Sequence, residues 1–461
     1  MPGSSATLIQ VLEGVMNNAV IMMRDDETVS NIMKLRFTPF VANKAKGAVI
    51  TDMEGNDFLD FSGAWGVMNV GYSHPRIIDI VGRQMNKLQF VPSISVYNNE
   101  MLELAEKLID MIPGDFEKKV WFGHSGSDAN EFIAKMVPVA TGRSKMITFV
   151  GSYHGQTLGA YGMSGHPALG AFSAGGSVVK VPYPYCFRCP FEQKANSCDF
   201  LCAEYIANYV LKTMVSPDQV GAIVIEAIQC DGGDIVPANG FLKVIERICR
   251  KYGILLIIDE VKIGFGRTGS MFGFEIEGIT PDAVVLGKAL GCGQPLSAVV
   301  GTRKLMDSGL GMHLFTTAGN PLACAVSLEN ISIIEDEGLC LKTEQNGHYF
   351  LKELNRLKEK YDVIGDVRGR GLVIGMEMIT DGVTKAPSSE IASLMVYRCY
   401  ELGLVIYNVG VFSNVLEFTP PLIITTEQID SAVTILEQSL DDVKEGKVDK
   451  EAAAVFAGWA V

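Results

Sequence analysis

Residues 254–259 read Ile254-Leu255-Leu256-Ile257-Ile258-Asp259, an apolar run that ends in an acid. A second run, Ala283-Val284-Val285-Leu286, stops just before Gly287-Lys288. Short apolar runs are typical of strands that are buried on both faces, as in parallel sheets. Two such strands would deliver a carboxylate and an amine to the carboxyl edge of one sheet, where open α/β sheets bind their ligands. The pair therefore predicts an α/β fold with Asp259 and Lys288 in its site.

The rest of the chain divides into three parts. From residue 73 to residue 330, apolar strands alternate with helical patterns, which predicts a large domain with a parallel sheet and helices on both faces. Residues 1–72 and 331–461 predict the two segments of a smaller α+β lobe. In the second of these segments, the run Val367-Arg368-Gly369-Arg370-Gly371-Leu372-Val373-Ile374 reads as a strand, and so does Val415-Leu416-Glu417-Phe418.

Composition limits the class of protein. The chain has 461 residues, of which 48% are hydrophobic, and this content argues against disorder. Its net charge of -14 disfavours nucleic acid and anionic membranes as partners, because their phosphates would be repelled. The start, Met1-Pro2-Gly3-Ser4-Ser5, lacks the basic and apolar regions of a signal peptide, and no apolar stretch approaches the length of a membrane span. We therefore expect a cytoplasmic protein that acts on a small molecule.

The ten cysteines do not resemble a disulfide framework, because most of them stand singly in apolar runs. One cluster differs: Cys186, Cys189, Cys198 and Cys202 follow a C-x2-C-x8-C-x3-C pattern. Four thiolates can bind structural zinc tetrahedrally, but this spacing is not a standard one. We therefore predict no metal and favour ordinary thiols in an insertion, with a metal or redox role as the alternative.

Further motifs surround the two strands. Ser125-Gly126-Ser127-Asp128 opens a helical pattern, and the amides and hydroxyls at a helix start form a natural phosphate site. The other motifs are Gly151-Ser152-Tyr153-His154-Gly155, Glu226-Ala227-Ile228-Gln229, Gly264-Phe265-Gly266-Arg267-Thr268-Gly269 and Thr316-Thr317-Ala318-Gly319-Asn320-Pro321. In this order and at these separations, they closely resemble the class III aminotransferase family of fold-type-I pyridoxal phosphate enzymes. The resemblance extends from about Arg36 to Thr425.

This resemblance implies a fold and a cofactor. The large domain would contain a mostly parallel, seven-stranded sheet sandwiched by helices. Lys288 would carry pyridoxal 5'-phosphate, and Asp259 would keep the pyridine nitrogen protonated so that the ring can accept electrons. Val261 would pack under the ring, and Tyr153 would stack on its other face.

The resemblance also implies shared sites. Ser125, Gly126 and Ser127 would hold the phosphate, and Thr316 would reach it from the partner subunit. A phosphate site that is shared between chains implies a homodimer or a higher homo-oligomer.

Three positions depart from the aminotransferase pattern. Asp231 replaces a loop glutamate, Lys262 replaces a glutamine, and Glu417 replaces an arginine that binds carboxylates bidentately in many members. A glutamate there would repel a substrate carboxylate by several kcal/mol, on the order expected for a partly buried site. Together with Phe61-Ser62-Gly63-Ala64-Trp65-Gly66 and residues 414–421, these departures resemble the subfamily of α-amino-ε-caprolactam racemases.

That subfamily implies a racemase that inverts the α-carbon of α-amino-ε-caprolactam and related amino-acid amides. Lys288 would move a proton on one face of the substrate, and Asp231 and Tyr153 would move one on the other. Lys262 would support the cofactor, and the substrate pocket would be lined by Trp65 and Glu417. Two alternatives remain open, namely a 2-epimerase or racemase of free amino acids and a class III ω-aminotransferase.

Overall fold

The computed structural model describes residues 17–169, 177–195, 197–456 and 458. The stretch Met1-Pro2-Gly3-Ser4-Ser5, on which the expectation about a signal peptide was based, lies outside the described residues. Apart from an irregular turn at Gly63–Gly66, the α-helices are α1 Asn18–Thr28, α2 Pro75–Lys87, α3 Asn99–Met111, α4 Gly126–Thr141, α5 Leu158–Met163, α6 Leu201–Tyr205, α7 Phe241–Tyr252, α8 Arg303–Met306, α9 Pro321–Asp336, α10 Leu339–Lys360, α11 Ser389–Glu401, α12 Thr426–Lys444 and α13 Lys450–Val455. A π-helix, Ile206–Met214, continues α6.

The strands form three sheets. They are β1 Ala42–Lys46, β2 Val49–Asp52, β3 Asp57–Asp60, β4 Lys118–Gly123, β5 Lys145–Phe149, β6 Val178–Val181, β7 Val220–Glu226, β8 Leu255–Asp259, β9 Ala283–Leu286, β10 Ser297–Thr302, β11 Ile364–Arg370, β12 Val373–Met378, β13 Leu404–Val405, β14 Tyr407–Val409 and β15 Val415–Phe418. The largest sheet has seven strands in the order β4-β10-β9-β8-β7-β5-β6. Strand β10 runs antiparallel to both of its neighbours, and the other pairings in this sheet are parallel. The predicted α/β fold with a mostly parallel, seven-stranded sheet is confirmed.

Both faces of the large sheet are buried, because alternate residues of a strand point to opposite sides. In β7, Ala222 and Val224 belong to the cluster that includes the apolar face of α4. Ile223 and Ile225 belong to the opposite core, which includes the apolar face of α7. Each valine or isoleucine side chain among them contributes about 1.5 to 3 kcal/mol when it is fully buried, so packing on both faces fixes the strands that position the site.

The two smaller sheets have four strands each, in the orders β1-β2-β3-β13 and β11-β12-β15-β14. The run from Val367 to Ile374, predicted as one strand, is an antiparallel hairpin of β11 and β12. It turns at Gly371, whose φ of +55° suits glycine, and a Cβ there would lie 2.5 Å from the carbonyl carbon of Thr268. The division at residues 72 and 330 stays a prediction.

The order of the central strands positions the site. Strands β9, β8 and β7 are neighbours, and Lys288, Asp259 and Asp231 lie at or just after their carboxyl ends. All three side chains therefore reach the same edge of the sheet. No helix in the described part of the chain is long and apolar enough to cross a membrane.

Candidate active site

A cavity of about 370 Å³ opens at this edge of the large sheet. Most of the side chains predicted for the site line it: Ser125, Gly126, Ser127, Tyr153, Asp231, Asp259, Val261, Lys262 and Lys288. Three predicted residues, Trp65, Glu417 and Thr316, do not line it. The structure therefore brings together the predicted cofactor residues other than Thr316, and the predicted substrate residues Trp65 and Glu417 lie behind Lys262, which both of them contact.

Three donors fix the carboxylate of Asp259, which is 4% exposed. Its Oδ2 accepts hydrogen bonds from Asn130 Nδ2 at 2.9 Å and from His154 Nδ1 at 2.7 Å. Its Oδ1 accepts one from the backbone amide of Val261 at 3.0 Å. Three hydrogen bonds to its two oxygens hold this buried carboxylate in one orientation. Such a carboxylate suits a protonated ring nitrogen.

Sequence reasoning missed the roles of Asn130 and His154. Asn130 lies one turn into α4, and His154 lies within the glycine-flanked motif that had been noted for Tyr153. The buried His154 Nε2 has no hydrogen-bond partner, so the contact of the ring with Asp259 through Nδ1 is its main polar interaction. For Asn130, the available signal was a polar side chain about one helical turn after the phosphate motif Ser125-Gly126-Ser127.

The start of α4 provides an anion site. Ser125 caps the helix by accepting from the amide of Asp128 at 3.2 Å, and the Asp128 carboxylate accepts from the Ser125 amide in return. The first amides of a helix have no partner within it, and the helix dipole favours a negative charge there. At Gly126, a Cβ would lie 2.8 Å from Val261 Cγ1, so only glycine lets the helix start lie against Val261.

Lys288 follows β9 with a left-handed φ of +43°. A non-glycine residue in this region stores about 1 to 3 kcal/mol of strain, which tends to persist at functional sites. Burial, together with the nearby ammonium of Lys262, lowers the pKa of Lys288. A larger share of its amine is therefore neutral and nucleophilic.

Lys262 is the centre of a buried ion pair. Its Nζ lies 2.5 Å from Glu417 Oε1, 3.9 Å from Asp231 Oδ2 and 4.9 Å from the centre of the Trp65 ring. Burial opposes its charge, but Asp231 and Glu417 outweigh burial and raise the pKa of Lys262. Lys262 lines the cavity and Glu417 lies behind it, and the predicted repulsion between Glu417 and a substrate carboxylate stays a prediction.

Asp231 and Tyr153 bring a carboxylate and a phenol to the same cavity. Burial alone would raise the pKa of Asp231, but the charges of Lys262 and then Lys288 lower it below its ordinary value. Burial and the charge of Asp231 raise the pKa of Tyr153 to about 12. At neutral pH the carboxyl group of Asp231 is therefore ionised and the phenol of Tyr153 is protonated.

The loop that contains Thr316 lies outside the cavity of its own chain, and Thr316 is exposed. The neighbouring Thr317 Oγ1 lies 2.7 Å from His124 Nε2, next to the capping Ser125. The predicted contact of Thr316 with the phosphate of a partner subunit stays a prediction.

The four clustered cysteines line one small cavity, together with Tyr185. Cys186 is exposed, and Cys189, Cys198 and Cys202 are partly buried; all ten cysteines are free thiols. Burial raises the pKa of Cys202 to about 11, so this thiol stays protonated at neutral pH. Among the described residues, no group of three or more histidines, cysteines and acids is arranged to hold a metal ion.

Comparison with known proteins identifies the family. The model of the family "Aminotransferase class-III" matches residues 32–440. The chain is 39% identical over 451 residues to the leucine/methionine racemase of Thermococcus litoralis, and the match covers 96% of this chain and 100% of that protein. It is 35% identical over 434 residues to the isoleucine 2-epimerase of Lentilactobacillus buchneri, with 92% and 95% of the two chains covered.

Among solved structures, the ω-transaminase of Pseudomonas jessenii in complex with PMP superposes with a TM-score of 0.83 at 30% identity, covering 88% of this chain and 93% of that one. The cavity fits a phosphorylated pyridine, since it combines a helix start for the phosphate, Gly126 against Val261, a fixed carboxylate at Asp259 and an amine at Lys288. The chain therefore belongs to the class III aminotransferase family, and its cofactor is pyridoxal 5'-phosphate.

Proposed function

We propose that the protein is a racemase that inverts the α-carbon of its substrate with two bases. The observation that carries this proposal is the arrangement of the central strands. Lys288 and Asp231 line the cavity from β9 and β7, the neighbours on either side of β8, which ends in Asp259. A site with proton-transfer groups on both sides favours return of the proton on the face opposite to the one it left.

The cofactor, when bound, supplies an electron sink that makes the proton on the α-carbon acidic. Lys288 moves this proton on one face, and its lowered pKa provides the neutral amine that removal requires. Asp231 is ionised and moves the proton on the other face, with the protonated Tyr153 beside it as the second member of that acid/base set. Asp259, held in place by its three hydrogen bonds, would face the ring nitrogen of the bound cofactor.

For the substrate we propose a free α-amino acid. Lys262 lines the cavity with an ammonium that is paired with Glu417 at 2.5 Å, and this cation is the group that would contact a substrate carboxylate. The leucine/methionine racemase and the isoleucine 2-epimerase are both named for reactions of free amino acids.

A second candidate is a racemase of α-amino-ε-caprolactam and related amino-acid amides. It is favoured by Glu417, which stands where many aminotransferases have a carboxylate-binding arginine. A neutral amide needs no cation at that position. An ω-aminotransferase remains the alternative within the same family.

We also propose a homodimer in which Thr316 contacts the phosphate in the cavity of the partner. The exposure of Thr316 outside its own cavity supports this arrangement. Light scattering measures the molar mass of the holoenzyme and tests this proposal. A Thr316→Ala variant should bind the cofactor less tightly at unchanged mass.

One experiment separates the functions. Each enantiomer of leucine and of α-amino-ε-caprolactam is incubated with the holoenzyme in D2O, with and without a keto acid, and the α-carbon is followed by NMR and chiral chromatography. A racemase inverts its substrate and incorporates deuterium without a keto acid. Lys288→Ala should abolish inversion, and Asp231→Asn should slow it by about 100-fold or more. Amino transfer that requires a keto acid, without inversion by the wild type, would establish the aminotransferase instead. Inversion left intact in Asp231→Asn would overturn the role of Asp231 as the second base.

A further inference from the structure

The loop that contains Asp231 is closed at its base and held at its tip. Gln229 and Ile235 exchange two backbone hydrogen bonds, of 3.1 and 2.9 Å, which close the loop. At the tip, Nε and Nη2 of Arg368 both donate to the carbonyl oxygen of Gly233, at 3.0 and 2.6 Å. The carbonyl of Asp231 itself accepts from the amide of Gly410 at 2.9 Å.

Arg368 is itself fixed. Its Nη1 donates to Glu377 Oε2 at 2.7 Å and to Asp366 Oδ2 at 3.0 Å, and its guanidinium lies 4.9 Å from the centre of the Tyr185 ring. The side chain is only 11% exposed. A guanidinium presents its donors in a rigid planar fork, so acids on one side of the fork hold the other side in one orientation.

The contact at Gly233 is close. Gly233 has a φ of +123°, and a Cβ there would lie 3.2 Å from Arg368 Nη2. The loop tip therefore rests directly on the guanidinium. Because Arg368 belongs to β11, the position of Asp231 depends on a strand of a different sheet.

We propose that Arg368 is a positioning residue for proton transfer by Asp231, because it holds the loop at the distance from the α-carbon that this transfer requires. The inference rests on the proposed two-base racemase. It predicts a defect on one face only, since Arg368 contacts the Asp231 loop at Gly233, along with Asp366, Glu377 and Tyr185, and does not contact Lys288. A displacement of about 1 Å of a catalytic group can cost on the order of 100-fold in rate.

The test compares Arg368→Lys with Arg188→Gln. A lysine keeps the positive charge beside Glu377 but cannot bridge the acids and the Gly233 carbonyl at the same time. Arg188 donates to the same Glu377, through Nε at 2.5 Å, and to the backbone of Lys385. Its loss disturbs the same acid without touching the loop, which makes it a matched control. Arg368→Gln combined with Glu377→Gln serves as the variant without the charge pair.

The readout uses each enantiomer of leucine in D2O. For the enantiomer whose α-proton faces Lys288, exchange with retention should stay within about twofold of the wild type in Arg368→Lys, while inversion falls by about 100-fold. For the other enantiomer, exchange and inversion should fall together. Asp231→Asn should give the same asymmetry, and Arg188→Gln should give none.

The outcomes are distinct. In one outcome, the two enantiomers differ in exchange in Asp231→Asn but not in either Arg368 variant. This result overturns the positioning role of Arg368 and leaves the racemase proposal standing. An equal loss of exchange for both enantiomers in the Arg368 variants indicates general damage and also overturns the inference. Absence of asymmetry in Asp231→Asn overturns the two-base proposal, and the inference with it.

Discussion

Lys262 Nζ lies 2.5 Å from Glu417 Oε1, and the two side chains are 6% and 1% exposed. Arg267, which is fully buried, lies in the same electrostatic environment; burial lowers its pKa to about 10, although Glu417 opposes this shift. Glu417 thus forms an ion pair with Lys262 and also attracts Arg267 electrostatically. An arginine at this position, as many aminotransferases have, would instead face both of them.

The first prediction concerns the strength of this pair. Glu417→Gln should lower the free energy of unfolding of the holoenzyme by about 3 to 5 kcal/mol, because it leaves a buried ammonium without its nearest acid. A double-mutant cycle with Lys262→Met, measured by urea unfolding, should give a coupling energy of about 1 to 3 kcal/mol.

The exposed pair of Arg83 and Asp79, one helical turn apart at 2.8 Å, is the control. Its coupling energy should be only about 0.3 to 0.5 kcal/mol. An equally small value for Lys262 and Glu417 would mean that water screens the pair and that the wall of the cavity is open.

The second prediction concerns His154. Replacement by leucine removes a hydrogen bond to the Asp259 carboxylate, and a bond to a charged group is worth about 1.5 to 3 kcal/mol. We therefore expect kcat/KM to fall by about 10- to 100-fold, with the cofactor absorbance retained. His348→Leu on the exposed face of α10 should leave kcat/KM unchanged, and so should His154→Leu if the ring serves only to fill space.

The third prediction concerns pH and Glu226. Burial, with Asp259 and Asp231 nearby, raises the pKa of Glu226 well above its ordinary value of 4.5. Its contribution to stability is therefore complete below pH 4.5 and is lost as the pH rises through the raised pKa, since the unfolded chain gives up the proton first.

Glu226→Gln keeps the neutral form at every pH. The free energy of unfolding of the wild type minus that of the variant should decrease by up to about 1.4 kcal/mol per pH unit as the pH rises from 4.5 to the raised pKa of Glu226. Chemical unfolding at several pH values measures this difference. A constant difference would show that Glu226 is ionised throughout.

The fourth prediction concerns the glycine at the phosphate site. Gly126→Ala places a methyl group 2.8 Å from Val261 Cγ1 and should push that side chain toward the ring. Overpacking of this kind costs about 1 to 3 kcal/mol, so the dissociation constant of pyridoxal phosphate should rise by about tenfold. Gly82→Ala in α2, where no atom lies within 4 Å, is the control and should not change it. Unchanged cofactor affinity in Gly126→Ala would mean that Val261 moves away freely.

The fold could be predicted from sequence because short apolar runs, such as those that end in Asp259 or precede Lys288, are typical of strands buried on both faces in an α/β fold. The antiparallel direction of β10 could not be predicted. Its residues, Ser297–Thr302, are almost all buried and lack the polar alternation that would mark one face, and an apolar strand reads the same in either direction. The hairpin at Gly371 was missed because the glycine lies within a run of strand-forming residues.

The site was predicted as far as local motifs extend. The contact between His154 and Asp259 joins two strands' ends that are far apart in sequence, and nothing next to His154 indicates it. For Glu417, the identity of one residue suggested repulsion of carboxylates. The distance to Lys262 depends on how β15 lies against the segment after β8, which no single motif encodes.

The pairing of β13 with β3 has a consequence for synthesis. Leu404 pairs in parallel with Leu59, and Val405 pairs with Asp60, so a strand made late completes a sheet begun near the start. During translation β3 is an edge strand with unpaired backbone groups, and such edges readily pair with other chains. Contacts between residues so distant in sequence also form slowly. The nascent strands β1 to β3 must therefore be kept from aggregation until Leu404 and Val405 have left the ribosome.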